Sequence, residues 1–245
     1  PAYNEENRLP ATLSSVHGYL SGLNIDFEIL VVDDGSTDGT AKVVTDFASN
    51  HEGVTLISFK PNRGKGHAVR IGMLAAKGDL LLLDDADGAS PIGEFKRLED
   101  AISKGADIAI GSRNKPDPET RVNAHLHRKH MGNTFNIIVQ WLILPGIYDT
   151  QCGFKLFKRE IGRELFSVSS LGGYAFDVEI LYLARVKGYK IAEVAINWSN
   201  VTGSKVNIFT DPFRMLIDVF KIVMRRNKYN QLLTAYETCS AGKNE

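Results

Sequence analysis

"GDLLLLDDADGAS", Gly78 to Ser90, sets four leucines against three carboxylates, so that a run apolar enough to be a buried strand ends abruptly in charge. Asp85 and Asp87 are two apart and project to the same side of an extended chain, with Asp84 on the other. Two hard oxygen ligands facing one point at the carboxyl end of a strand suit Mg2+ or Mn2+ bridging the phosphates of a nucleotide. A solvated turn or a helix cap uses the same residue types, so the D-x-D alone leaves both readings open.

Outward from this run the chain alternates helix and strand. Leu9, Leu13, Val16 and Leu20 fall at helical spacing within Glu6 to Leu20, and the β-type run "FEILVV" (Phe27 to Val32) follows. A helix around Thr40 to Phe47, a strand from Val54 to Phe59, a helix from Gly66 to Ala76 and the leucine strand come next. A helix from Pro91 to Ser103 and the strand "DIAIG" (Asp107 to Gly111) extend the pattern. Such alternation implies an α/β fold whose mostly parallel central sheet is flanked by helices on both faces. The second half is less regular: a polar loop from Asn114 to Asn123, a helix through "MGNTFNIIVQWLIL", strands around Gly153 to Phe157 and Ile191 to Trp198, and a helix from Phe176 to Gly188. We expect one catalytic domain over 1–205, its nucleotide-binding half running to 112 and its acceptor half from 113. An amphipathic helix over 206–230 and a polar, fraying tail over 231–245 complete the division.

At 245 residues and 43% hydrophobic content the chain can bury one sizeable core. Its 29 basic and 29 acidic residues cancel, which argues against a nucleic-acid binder working through a bulk cationic field. The two cysteines, Cys152 and Cys239, make no C-x-x-C spacing, and a reducing compartment is the plainer reading. No stretch reaches the roughly 18 apolar residues of a spanning helix. The chain opens at Pro1 in what reads as the end of a strand, which leads us to expect residues upstream, a membrane anchor being one candidate.

Four segments stand at carboxyl ends of the expected parallel strands: "PAYNEE", "VVDDGSTDGT", "KPNRGKGHA" and "LLLDDADGA". Ligands of open α/β sheets bind at that edge, so these segments should converge. Asp33 and Asp34 end a strand and can accept from a ribose hydroxyl or a base N–H, whereas Asp38 suits a helix N-cap. "RGKGHAVRIG" places Arg63, Lys65 and two glycines at a helix start, where an anion could bind, but completes neither a P-loop nor a dinucleotide fingerprint. The histidines have no convincing metal spacing.

In this order and at these intervals, "PAYNEE", "VVDDGSTDGT", "NRGKGHAVRIGMLAAKGD" and "DDADGA" resemble the inverting GT-A glycosyltransferases of the family-2 type. "GSRN", "DTQCGFKLF" and "AFDVEILYLA" look more specifically like the dolichyl-phosphate glucosyltransferases, close relatives of the dolichyl-phosphate mannosyltransferases. The likeness runs from about Pro1 to Lys205. It implies a GT-A fold with UDP-glucose as donor and a dolichyl or other polyprenyl phosphate as acceptor. Pro1, Ala2, Tyr3 and Glu5 would line the nucleoside pocket, with Asp34 and Asp33 on the base or ribose, and Lys65 and Ala86 beside the donor. Asp85 and Asp87 would hold the metal; where related mannosyltransferases carry a further glutamine ligand, this chain has Ala89. Arg113 and Arg128 match positions near the phosphates, and Asp177 and Glu179 lie where many family-2 enzymes have an acidic residue acting as base. The resemblance also implies the cytosolic face of the endoplasmic reticulum membrane, or the cytoplasmic membrane in a prokaryote.

A phosphate monoester is mostly a dianion at neutral pH, its second pKa being about 6, so it needs no general base. The enzyme must instead bring two anions together, and Arg113, Arg128 and the metal are the expected counter-charges. Asp177 would then position the sugar, order the site or cap a helix. Support for a lipid acceptor comes from Phe213, Leu216, Ile217, Phe220, Val223 and Met224, which form one helical face beside a stripe of Arg214, Asp218, Lys221 and Arg225. That pattern fits a helix on a membrane surface, and equally one packed on the protein's own core. Within the same fold, GDP-mannose is the rival donor; a sugar-nucleotide pyrophosphorylase and a non-catalytic nucleotide sensor are the readings from other classes.

Overall fold

The leucine run is a strand buried on both faces: Leu81 and Leu83 are fully covered on one side, while Leu80 and Leu82 pack more loosely on the other. It is β3 (Leu80–Asp84) of a computed structural model that describes residues 1–123, 135–201 and 210–241. Its central sheet has the order β3, β6 (Phe154–Lys158), β4 (Ile108–Ser112), β7 (Ile191–Ala195). β4 and β7 pair parallel, and β6 runs antiparallel between β3 and β4, so three of the four strands share one direction. β1 (Ile29–Asp33) and β2 (Val54–Ser58) form a second, parallel pair, and the segment at Ala2 joins the end of β1 through Ala2 N–H to Val32 O (2.8 Å) and Asp34 N–H to Ala2 O (2.9 Å). The short strands β5 (Val122–Asn123) and β8 (Trp198–Ser199) pair beyond them.

Helices cover both faces. α1 (Leu9–Gly22) and α2 (Thr40–Ala48) bury Leu9, Leu13 and Val44 against Val31, while α4 (Phe95–Ser103) seats Phe95 and Leu98 on the Ala109 and Leu156 side of the sheet. On the opposite side α3 (Lys65–Ala75), α5 (residues 135–142), α6 (Arg159–Val168) and α7 (Phe176–Val186) enclose the largest core, into which Leu81, Ile108, Ile110 and Phe157 project. α7 is buried along nine consecutive residues, from Phe176 to Ala184, including Asp177 and Glu179.

One expectation is corrected. The tail over 231–245 was expected to fray, yet α9 (Arg226–Ala241) continues after α8 (Asp211–Met224) as helix. The reason is the i, i+4 pair Tyr229 and Leu233, both buried in the main core, which anchors an otherwise polar helix. α8 packs on that core through Val219 and Ile222. Helix α6 went unanticipated although Ile161, Leu165 and Phe166 carry a helical pattern.

Candidate active site

The strand-end segments meet. Pro1, Ala2, Tyr3, Glu5, Asp34, Lys65, Asp85, Ala86 and Asp87 all line one cavity of about 450 Å³. Arg8, Tyr174 and four residues of α8, Asp211, Arg214, Met215 and Asp218, also line it; none of these six stood out in the sequence as a site residue. Arg214 and Asp218 were legible only as the polar stripe of an amphipathic helix.

Asp34 organises this wall. Its two carboxylate oxygens accept the backbone N–H groups of Arg63 and Gly64, each at 2.8 Å, which fixes the loop leading into α3. Gly64 adopts φ 97°, and a Cβ there would lie 2.4 Å from the carbonyl of Gly172. The start of α3 is therefore not an open anion site: Gly66 N–H donates to Gly172 O at 2.8 Å, and His67 N–H to the same oxygen at 3.3 Å. The cationic group that this helix start does present to the cavity is the Lys65 side chain. Asp33 departs from the expectation too, since it is buried with Oδ1 on Ser36 N–H (3.0 Å) and Oδ2 on the Ser58 hydroxyl (2.8 Å), away from the cavity. Asp38 is not the N-cap of α2, a place taken by Gly39, but stands one residue before it and accepts the Thr40 N–H at 3.0 Å.

The Lys65 ammonium sits on Asp85, 2.7 Å from Oδ1 and 2.8 Å from Oδ2. Burial would raise the Asp85 pKa, but Lys65 outweighs it and holds the carboxyl below its usual range. Asp87 accepts Ala89 N–H at 3.1 Å and faces the same cavity. Asp84 points elsewhere, with one carboxylate oxygen buried and unpartnered; burial, then the neighbouring Asp85 charge, push its pKa well above the usual value. Asp85 and Asp87 together present carboxylate oxygens to the cavity, a donor set that fits a hard divalent cation whose remaining ligands come from substrate and water. No cluster of three or more acidic, histidine or cysteine ligands exists among the described residues.

Behind this layer lies a second one. Lys155 on β6 is buried, its ammonium donating to Asp177 and to the Cys152 carbonyl. Asp177 is thus neither a helix cap nor a cavity-lining base; burial raises its pKa, and Lys155 only partly opposes this. Arg113 lies outside the cavity lining, held by Asp149 through Nε (2.7 Å) and Nη2 (2.8 Å), and its guanidinium packs 5.4 Å from the centre of the Trp198 ring. Asp149 is wholly buried, and Glu193 fixes its backbone by accepting its N–H at 2.8 Å. Arg128 falls outside the described residues. Sequence reasoning marked Lys155 without a chemical role and missed Asp149; both lie in "DTQCGFK", and the antiparallel course of β6 brings that segment beside Asp85.

Residues 1–166 match the family described as Glycosyl transferase family 2. Among curated proteins, a dolichyl-phosphate beta-glucosyltransferase of Dictyostelium discoideum is 41% identical over 237 residues, covering 92% of this chain and 72% of that one. The Homo sapiens protein of the same name is 37% identical over 238 residues, covering 92% and 74%. Among solved structures, glucosyl-3-phosphoglycerate synthase from Mycobacterium tuberculosis, in complex with Mn2+, UDP-glucose and phosphoglyceric acid, superposes with a TM-score of 0.68 at 19% identity, covering 90% and 76%. Mannosyl-3-phosphoglycerate synthase from Rubrobacter xylanophilus gives 0.64 at 21%, covering 94% and 73%. These two likenesses establish the fold as that of the GT-A glycosyltransferases.

Proposed function

The chain belongs to glycosyl transferase family 2, and from that premise we propose that it transfers glucose from UDP-glucose to dolichyl phosphate with inversion, giving dolichyl β-D-glucosyl phosphate. The observation that carries this reading is one cavity in which a nucleoside wall at Ala2 and Tyr3 is continuous with the Lys65, Asp85 and Asp87 cluster. Asp85 and Asp87 would hold a divalent cation, Mg2+ or Mn2+, which when bound supplies positive charge against the departing diphosphate. Lys65 adds a second cation on the same side. The acceptor phosphate arrives as a dianion and is its own nucleophile, so no proton need be removed. That agrees with an Asp177 committed to Lys155; its role is to order the floor beneath Asp85.

The membrane surface belongs to the same reading. Phe213, Phe220 and Met224 of α8 are 67%, 59% and 86% exposed, and Lys221, Arg225, Arg226 and Lys228 follow beside them. An apolar ridge bordered by basic residues suits a bilayer with anionic headgroups, and we assign the protein to the cytosolic face of the endoplasmic reticulum membrane, or to the cytoplasmic membrane of a prokaryote. No helix among the described residues is long and apolar enough to cross a membrane.

The test incubates the protein with labelled UDP-glucose, dolichyl phosphate and a divalent cation. Label in the organic phase, with UDP released, is the expected result. Transfer from GDP-mannose instead would reassign the donor, release of pyrophosphate would indicate a pyrophosphorylase, and nucleotide binding without any transfer would leave a sensor.

A further inference from the structure

Transfer between two phosphates needs a cation that is free to meet the second one. Of the cations lining the cavity, Arg8 is engaged by Glu5 and Lys65 by Asp85. Arg113 is clamped by Asp149 and does not line the cavity. Arg214 on α8 does line it, and its guanidinium makes no hydrogen bond or ion pair with any described residue. Its neighbour Phe213 begins the exposed ridge that continues through Ile217 and Phe220 on the same helix.

A polyprenyl phosphate is a dianion at the end of a long hydrocarbon, so the element that meets its phosphate must also give the chain an apolar way out. α8 offers both within adjacent residues. We propose that Arg214 grips the acceptor phosphate, with the lipid chain leaving along the Phe213 to Phe220 ridge; the assignment rests on the transfer reading above. A guanidinium can hold two phosphate oxygens through parallel N–H bonds and leave the third to react. That oxygen forms the new bond to the anomeric carbon as the bond from this carbon to the diphosphate breaks, and UDP leaves with the electron pair. Arg214 therefore touches the acceptor and not the donor, whose diphosphate faces Lys65, Asp85 and Asp87.

Steady-state transfer by the wild type, Arg214→Gln and Arg214→Lys, varying each substrate in turn, tests this, together with calorimetric titration of UDP in the presence of Mn2+. Arg214→Gln should raise the KM for dolichyl phosphate about ten-fold or more, with Arg214→Lys intermediate, while the donor KM and UDP affinity stay unchanged. The same loss should appear with a short-chain polyprenyl phosphate in detergent-free solution, because the phosphate and not the chain is what Arg214 holds. An unchanged acceptor KM, or a donor KM that rises in parallel, overturns the assignment. Absence of transfer by the wild type itself removes the transfer reading, and this one with it.

Discussion

A methyl group on Gly153 would lie 2.0 Å from Oδ2 of Asp85, closer than any real contact. The clashing group is the tip of a side chain, so Gly153→Ala can be accommodated by turning the Asp85 carboxylate away, which breaks its pair with Lys65 and its aim into the cavity. The fold should survive with an almost unchanged urea midpoint, while Mn2+ affinity in the presence of UDP, read by electron paramagnetic resonance, falls about ten-fold or more. Unaltered Mn2+ binding would mean that Asp85 is not a ligand. The Lys155 and Asp177 pair behaves oppositely, because both side chains are almost wholly buried and each is the other's counter-charge. Lys155→Met strands a carboxylate beneath Asp85 and should cost about 3–5 kcal/mol in urea unfolding.

Among the elements, the clasp between α9 and α7 has a pH signature. Tyr229 donates to Glu179 Oε1 at 2.6 Å, and the Glu179 carboxylate also accepts the N–H groups of Ser170 (3.0 and 3.1 Å) and Leu171 (2.9 Å). It thereby ties the helical pair to the loop whose Gly172 carbonyl caps α3. Burial, then Glu179, push the Tyr229 phenol up to about 12 from an ordinary 10.0. Between those values the unfolded chain gives up its proton while the folded one keeps it, so this contribution is complete below pH 10 and disappears as pH rises through 12. The wild type should lose stability faster than Tyr229→Phe from pH 10 to 12, compared by urea midpoints; equal slopes would contradict the clasp. The helices and strands of the first half were legible because each shows its period in local sequence, from the α1 leucines to the β3 run. The direction of β6 was not, since strand pairing is a long-range choice that Phe154 to Phe157 do not encode locally, and with it went the meeting of Lys155, Gly153 and Asp85. Asp85, Asp87 and Lys65 could be nominated because strand ends gather ligands. Arg214 could not, because its place in the cavity depends on how α8 packs.

At the scale of the whole molecule, equal numbers of acidic and basic residues leave no general attraction to anionic lipid, so any membrane docking must be local. α8 supplies the locality: Val219 and Ile222 fix it to the core, Asp211, Arg214 and Asp218 turn to the cavity, and Phe213, Phe220 and Met224 remain outside. An inserted ridge would gain a fraction of the roughly 1.5–3 kcal/mol available for burying each large apolar side chain, and the basic residues add about 1 kcal/mol apiece near an anionic surface. Replacing Phe213 and Phe220 together by Ser should therefore lower partitioning onto phosphatidylserine-containing vesicles about ten-fold or more, while UDP affinity in solution stays as in the wild type. Raising the salt should weaken the wild type as well, since the basic flank is screened. Sedimentation with vesicles measures both effects, and a double variant that still partitions like the wild type would place the membrane contact elsewhere, with the exposed Ile137 and Trp141 of α5 the next surface to examine.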